Sequence, residues 1–237
     1  MSSLEGKVAF ITGGSKGIGF GVAQSLLEKG MKVAISSRSK KNAEEAAGKL
    51  KSKGDIIGVE ADVRNYESQK KAIKEVTDEW GQLDVMVANA GVGNFGSIEE
   101  LTPQQWQDTI DTNLTGVFYS AKAAVDALSK SKGYLITISS LAGTNFFAGG
   151  AAYNASKFGV TGFTQAVMLD LRQKGINVST IMPGSVATHF NDHEPGEADA
   201  WKIQPEDIGE IVVDLLKLNP RTLPSKIEVR PSQPPKK

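Results

Sequence analysis

The chain has 237 residues and no cysteine: long enough for a substantial core, but unable to form disulfides or hold zinc through thiolates. Lysine plus arginine and aspartate plus glutamate each count 27, so net charge gives no pull toward nucleic acid or an anionic membrane. The N-terminal Met-Ser-Ser-Leu-Glu-Gly-Lys lacks an apolar signal core, and no apolar run nears the ~18 residues of a membrane helix, so a cytoplasmic protein is expected.

Val8 to Ile11 is a short apolar, β-rich run that ends in Thr12-Gly13-Gly14-Ser15-Lys16-Gly17-Ile18-Gly19. A helical pattern follows through Ala23, Leu26 and Leu27 and stops at Gly30. Strand, glycine turn and helix form the opening of a dinucleotide-binding unit, in which backbone N–H groups approach a pyrophosphate and the helix N-terminus faces its charge. Glycines at 13, 17 and 19 give Gly-x-x-x-Gly-x-Gly rather than the commoner Gly-x-Gly-x-x-Gly. Residues 32–36 are the second strand, whose end meets the adenosine ribose; an acid there selects NAD. This chain instead reads Ser36-Ser37-Arg38-Ser39-Lys40-Lys41. Arg38 can grip a 2′-phosphate with its planar fork, Ser37 can donate to it and Lys16 lies in the adjoining turn, so NADP(H) is favoured. Lys40 and Lys41 read equally well as a solvated helix start.

Residues 42–53 pattern as an amphipathic helix, and 56–59 as a strand leading to Ala61-Asp62-Val63. Residues 65–80 are again helical, with Ala72, Ile73 and Val76 on one side. Residues 83–87 are apolar apart from Asp84, close to the pattern of a central parallel strand covered on both faces, and lead to Asn89-Ala90-Gly91. The rhythm predicts an α/β fold: a Rossmann-type doubly wound sandwich of about seven parallel strands with helices on both faces.

A single helix is predicted over 103–128, started by Thr102-Pro103 and carrying Asn113. Residues 134–139 are the fifth strand, followed by Ser140 and a glycine-rich loop; 151–173 are helical. On that helix Tyr153 and Lys157 are four residues apart and share a face. A phenol titrates near ~10. An adjacent ammonium lowers that value and burial raises it, so proton exchange by Tyr153 at neutral pH requires the cation to dominate. Residues 177–182 are the sixth strand, ahead of Pro183-Gly184-Ser185-Val186-Ala187-Thr188. A substrate flap is expected over 189–203. His189 and His193 are four apart, but Pro195-Gly196 ends any helix and no third ligand is evident, so no metal is expected. Phe146, Phe147, Phe190 and Trp201 read either as an aromatic-lined pocket or as core. Residues 205–218 are the last helix and 227–229 the seventh strand. One domain is expected over 1–230, with a disordered Pro- and Lys-rich tail at 231–237.

The order and spacing of Thr12-Gly13-Gly14-Ser15-Lys16-Gly17-Ile18-Gly19, Asp62-Val63, Asn89-Ala90-Gly91, Asn113, Ser140, Tyr153-Asn154-Ala155-Ser156-Lys157 and Pro183-Gly184 resemble the classical branch of the short-chain dehydrogenase/reductase family. The likeness spans residues 12–184, and extends to members that reduce 3-oxoacyl groups on acyl-carrier protein and to carbonyl reductases. It implies hydride transfer between NADP(H) and a small-molecule carbonyl or secondary alcohol. Tyr153 would trade the proton. Ser140, thirteen residues upstream, would hold the substrate oxygen. Lys157 would bind the nicotinamide ribose and lower the tyrosine pKa, and Asn113 would hold a water in a proton path. The resemblance places Gly13, Ser15, Lys16, Gly17, Ile18, Gly19, Ser37, Arg38, Asp62, Val63, Asn89, Ala90 and Gly91 around the cofactor. Pro183, Gly184, Val186 and Thr188 would contact its nicotinamide end. It also implies a homodimer or homotetramer associating through the helices that begin near Pro103 and Ala151. A regulatory NADP(H) sensor on the same fold would need the cradle but not Ser140, Tyr153 and Lys157.

Overall fold

The computed structural model describes residues 3–233. Seven parallel strands form one sheet: β1 (Val8–Ile11), β2 (Lys32–Ser37), β3 (Ile56–Glu60), β4 (Val85–Ala88), β5 (Tyr134–Ile138), β6 (Asn177–Pro183) and β7 (Lys226–Val229). Their order is β3-β2-β1-β4-β5-β6-β7. The chain therefore winds outward from β1, then crosses back and winds the other way from β4. Such a switch point opens a crevice at the carboxyl ends of β1 and β4. Register aligns those ends: Ile11 sits opposite both Ile35 and Val87, Ala88 opposite Thr137, and Ile138 opposite Ile181.

Strands with both faces covered need apolar residues at every position. In β1, Ala9 and Ile11 join a core with Val22, Leu26, Ile208 and Val212 on one face. Val8 and Phe10 join Ile73, Val76, Leu128 and Leu135 on the other. The first face is covered by α1 (Gly17–Leu27), α2 (Lys40–Leu50) and α7 (Pro205–Lys217); α3 (Tyr66–Trp80), α5 (Gly116–Ser131) and α6 (Ala151–Leu171) cover the second.

Several boundaries shift by a few residues from the sequence reading, and three of the differences have a clear physical basis. Lys40 and Lys41 lie inside α2, whose N-cap is Ser39, and they pair with Glu44 and Glu45 at 3.7 and 3.8 Å. Leu83 and Asp84 precede β4 rather than opening it, because the Asp84 carboxylate turns to accept from the Val8 amide at 2.8 Å. The helix predicted over 103–128 is not uniform: α4 (Pro103–Ile110) passes into a π turn over Asp111–Thr115 before α5. Its start was legible in Thr102-Pro103, where Thr102 and Gln105 form a capping box. The predicted flap holds two short 3₁₀ turns, Phe190–Asp192 and Glu197–Asp199. Of the expected disordered tail, 231–233 are described and 234–237 lie outside the described residues. No helix among the described residues is long and apolar enough to cross a membrane.

Candidate active site

The glycine turn after β1 packs directly on the turn after β4. Gly13 has φ +63°, and a Cβ there would lie 2.9 Å from the Ala90 Cα, so only glycine permits the approach. Asn89 binds the two turns together, donating from Nδ2 to the carbonyls of Thr12 at 2.8 Å and Gly13 at 3.2 Å. The Thr12 hydroxyl accepts from the amides of Asn89 and Ala90. Gly91 follows, beside the Asn113 side chain. Helix α1 begins behind this turn at Gly17, with Ile18 against the core and Gly19 buried. Its N-cap, Lys16, offers no side-chain bond and its first turn carries no acid, so the orphan N–H groups remain open to an anion. Ser15 is half-buried in the same turn. Thr188 closes the far side: a Cβ on Gly17 would meet it at 3.3 Å. Val186 pairs across a bridge with Ile203, while Pro183 ends β6 and the Gly184 amide donates to Val229.

At the end of β2, Ser37 is half-buried and Arg38 exposed. The buried Ser36 hydroxyl has no hydrogen-bond partner among the described residues. Asp62 was expected to face the cofactor. Its carboxylate is gripped by Arg64, through Nε at 3.1 and 3.2 Å and Nη2 at 2.8 Å. Arg64, with a smaller contribution from Arg38, holds the carboxyl below the ordinary aspartate range. Asp62-x-Arg64 was a visible signal for this pair. Val63 is buried against Gly116.

Where β5 ends, Ser139 and Ser140 part. The Ser139 hydroxyl turns inward, donating to the Lys157 carbonyl at 3.1 Å and meeting the Thr161 hydroxyl at 2.9 Å. Ser140 points to the crevice. Its hydroxyl accepts from the Ala142 amide at 3.1 Å and donates toward the Pro183 carbonyl at 3.4 Å. It also faces the Tyr153 phenol. Asn154, which the sequence reading passed over, fixes this arrangement. Buried at the start of α6, it donates from Nδ2 to the carbonyls of Ala142 and Asn145, both at 2.7 Å. The loop carrying Ser140 is thus bonded to the helix carrying Tyr153.

Asn113 is fully buried in the π turn. Its side chain pairs with the backbone of Val92 in both directions at 2.8 Å, and Nδ2 also donates to the Ser156 hydroxyl at 3.2 Å. Ser156 in turn donates to the Tyr153 carbonyl. Lys157 is only 5% exposed; its Nζ donates to the Ile138 carbonyl at 2.9 Å, and no carboxylate lies within ion-pair distance among the described residues. Burial lowers its pKa to about 8. The ammonium sits 5.7 Å from the centroid of the Tyr153 ring. The net shift on the phenol runs opposite to the lowering expected from Lys157. Burial is the larger influence and raises Tyr153 above the usual phenol value, with Ser140 opposing it. Desolvation of the phenolate therefore wins, and the phenol holds its proton at neutral pH.

An aromatic cluster packs on that phenol. Phe95 lies 5.3 Å from Tyr153 between ring centroids, and Phe190 5.7 Å. Phe147 joins through Phe95 at 5.9 Å. Of the four aromatics named from sequence, Phe147 and Phe190 reach the site. Phe146 is 87% exposed, and Trp201 instead carries the Lys202 ammonium over its ring. Phe95 was missed because it lies in a long loop without periodicity. In the flap, His193 and Lys202 both bind the buried Asp199, at 2.6 and 2.5 Å. Lys202 first and His193 second hold that carboxyl well below its ordinary range. No group of three or more potential metal-binding His, Cys, Asp or Glu occurs among the described residues.

Residues 7–198 match the short chain dehydrogenase family, an oxidoreductase family to which this chain belongs, and the seven-stranded switch-point sheet agrees with it. The 3-oxoacyl-[acyl-carrier-protein] reductase FabG of Vibrio cholerae is 37% identical over 187 residues, 78% of this chain and 76% of that protein. An alcohol dehydrogenase from the archaeon Thermococcus sibiricus, solved with 5-hydroxy-NADP, superposes with TM-score 0.91 at 30% identity, covering 98% of this chain and all of the other. The 3-ketoacyl-(acyl-carrier-protein) reductase of Brucella melitensis, solved with NADH, superposes with TM-score 0.88 at 25% identity, covering 97% and 99%.

Proposed function

We propose that this chain is a carbonyl reductase that uses NADPH to convert a small apolar ketone or aldehyde into the alcohol. The observation carrying the reading is geometric: Ser140 faces the Tyr153 phenol, with the Lys157 ammonium 5.7 Å from that ring, beside the Gly13 cradle. The residues fit such a cofactor. The open N-terminus of α1 and the Gly13 cradle suit its pyrophosphate. Lys157 spends one N–H on Ile138 and has two to offer a ribose. Arg38 and Ser37, with Lys16 across the turn, favour an added 2′-phosphate over the bare ribose that an acid would select.

Bound NADPH would supply the hydride to the carbonyl carbon. Ser140 and Tyr153 both donate hydrogen bonds to the carbonyl oxygen, holding the charge that develops there. Tyr153 then gives that oxygen its proton. Asn113, Ser156 and Asn154 keep the two hydroxyls in place through the backbone. The same reading places the protein in the cytoplasm as a homodimer or homotetramer.

Tyr153→Phe tests it. Loss of the positioned acid should lower NADPH-dependent carbonyl reduction by about 10²- to 10⁴-fold. NADPH affinity, read from its fluorescence, should not change, and NADPH should outperform NADH in the wild type. Activity within a factor of ten of wild type would remove Tyr153 from the role.

A further inference from the structure

We infer that Phe95 and Phe190 select the substrate, and that the site takes carbonyl compounds bearing a flat aryl group on the carbonyl carbon. The inference rests on the reductase reading and sharpens it. A carbonyl oxygen bonded to both Tyr153 and Ser140 brings one of its substituents against whatever borders the phenol. What borders it is aromatic: Phe95 meets Tyr153 at 5.3 Å and 61°, Phe190 meets Tyr153 at 5.7 Å and 58°, and Phe95 and Phe190 cross at 67°. Tilted rings offer both edges and faces to an incoming ring, and such pairs gain beyond simple burial. The same rings keep apolar surface unspent, with Phe95 40% and Phe190 37% exposed.

The wall is assembled deliberately from distant parts of the chain. Phe95 comes from the loop after β4, Phe147 from the loop after β5 and Phe190 from the loop after β6. Gly93 makes room for them. A Cβ there would lie 2.6 Å from one Phe190 ring atom and 2.8 Å from one Phe95 ring atom. The first two loops are tied by the Gly96 amide donating to the Gly149 carbonyl at 2.9 Å. Phe190 is delivered by a turn in which Asn191 adopts φ +57°, a left-handed conformation that asparagine tolerates. A flexible aliphatic chain loses more rotamer freedom on entering such a wall than a flat ring does, and gains no edge-to-face pairing.

The test compares acetophenone with 2-octanone, which has the same carbon count, and with an acetoacetyl thioester, in wild type, Phe95→Leu and Phe190→Leu. With NADPH, the wild type should prefer acetophenone in kcat/KM, and each leucine variant should cut the acetophenone-to-octanone ratio about fivefold. A thioester or octanone preference in the wild type, or a ratio unmoved by both substitutions, overturns the inference. Binding supplies a readout free of turnover. By ligand-observed NMR with NADP⁺ present, 1-phenylethanol should bind wild type more tightly than 2-octanol, and lose that margin in Phe95→Leu. If no carbonyl is reduced at all, the reductase reading fails, while the aryl preference stands or falls on this binding comparison. Circular dichroism confirms that each variant is folded.

Discussion

Lys157 places an ammonium inside the protein with a carbonyl as its hydrogen-bond acceptor and no carboxylate within ion-pair distance among the described residues. Its pKa is about 8 when folded, against the ordinary lysine value of 10.5. Between those values the unfolded chain binds the extra proton, so stability from this group rises as pH increases from 8 to 10.5. Below pH 8 the whole cost is present, on the order of 3 kcal/mol at about 1.4 kcal/mol per pKa unit. Lys157→Met removes this titration. Denaturant unfolding at pH 7 and pH 10 should therefore show the wild type gaining on the variant at the higher pH, by a few kcal/mol. Tyr153, raised above its usual value, begins to oppose this only above pH 10, and it is common to both proteins. Parallel pH profiles would mean that Lys157 is solvated. The four-residue spacing of Tyr153 and Lys157 was legible; the outcome of burial against charge was not, because it depends on what covers the pair. The partner of Asp62 was not read either: its motif position was visible, but not that its carboxylate pairs with Arg64.

At the scale of elements, the strands announced themselves, since a parallel strand covered on both faces reads as a short apolar block. Helix starts were legible at Asn65 and Thr102, which cap α3 and α4 through their side chains. The π turn was not. One extra residue in a turn leaves no mark on a short periodic pattern, and its cause lies 21 residues away, where Asn113 replaces the missing partners of the Val92 backbone. Asn113→Ala would leave the partly buried N–H and carbonyl of Val92 without their partners, at up to about 1–3 kcal/mol each before relaxation. The thermal midpoint should fall by roughly 2–4 °C per kcal/mol for a chain this size. Hydrogen exchange should quicken at Val92 and through the loop to Phe95, ahead of global unfolding. Unchanged exchange there would show that the π turn does not depend on this side chain.

For the whole molecule, the alternation of strands and helices and the glycine turn were enough to give a doubly wound parallel sheet, though not its strand order. The outer surface was harder to read, because exposure is a property of the assembled fold. Along α6, Phe158, Gly162, Ala166 and Leu169 are all exposed; spaced by four, four and three residues, they form one stripe. No charge interrupts it, and the space beyond Gly162 is open. Large apolar side chains at its ends and small ones between allow another helix to approach closely, and leaving them in water forfeits about 25 cal/mol for each Å² that burial would remove. A second copy of the chain would supply the same stripe, so a two-fold axis across α6 would make a self-complementary contact. Light scattering should accordingly give two or four times the monomer mass, with a thermal midpoint that rises with protein concentration. Phe158→Glu with Leu169→Glu should break this contact, leaving a smaller assembly, without touching the core, since Phe158 and Leu169 are 44% and 55% exposed. A wild type that elutes as a monomer at every concentration would show instead that the stripe faces water.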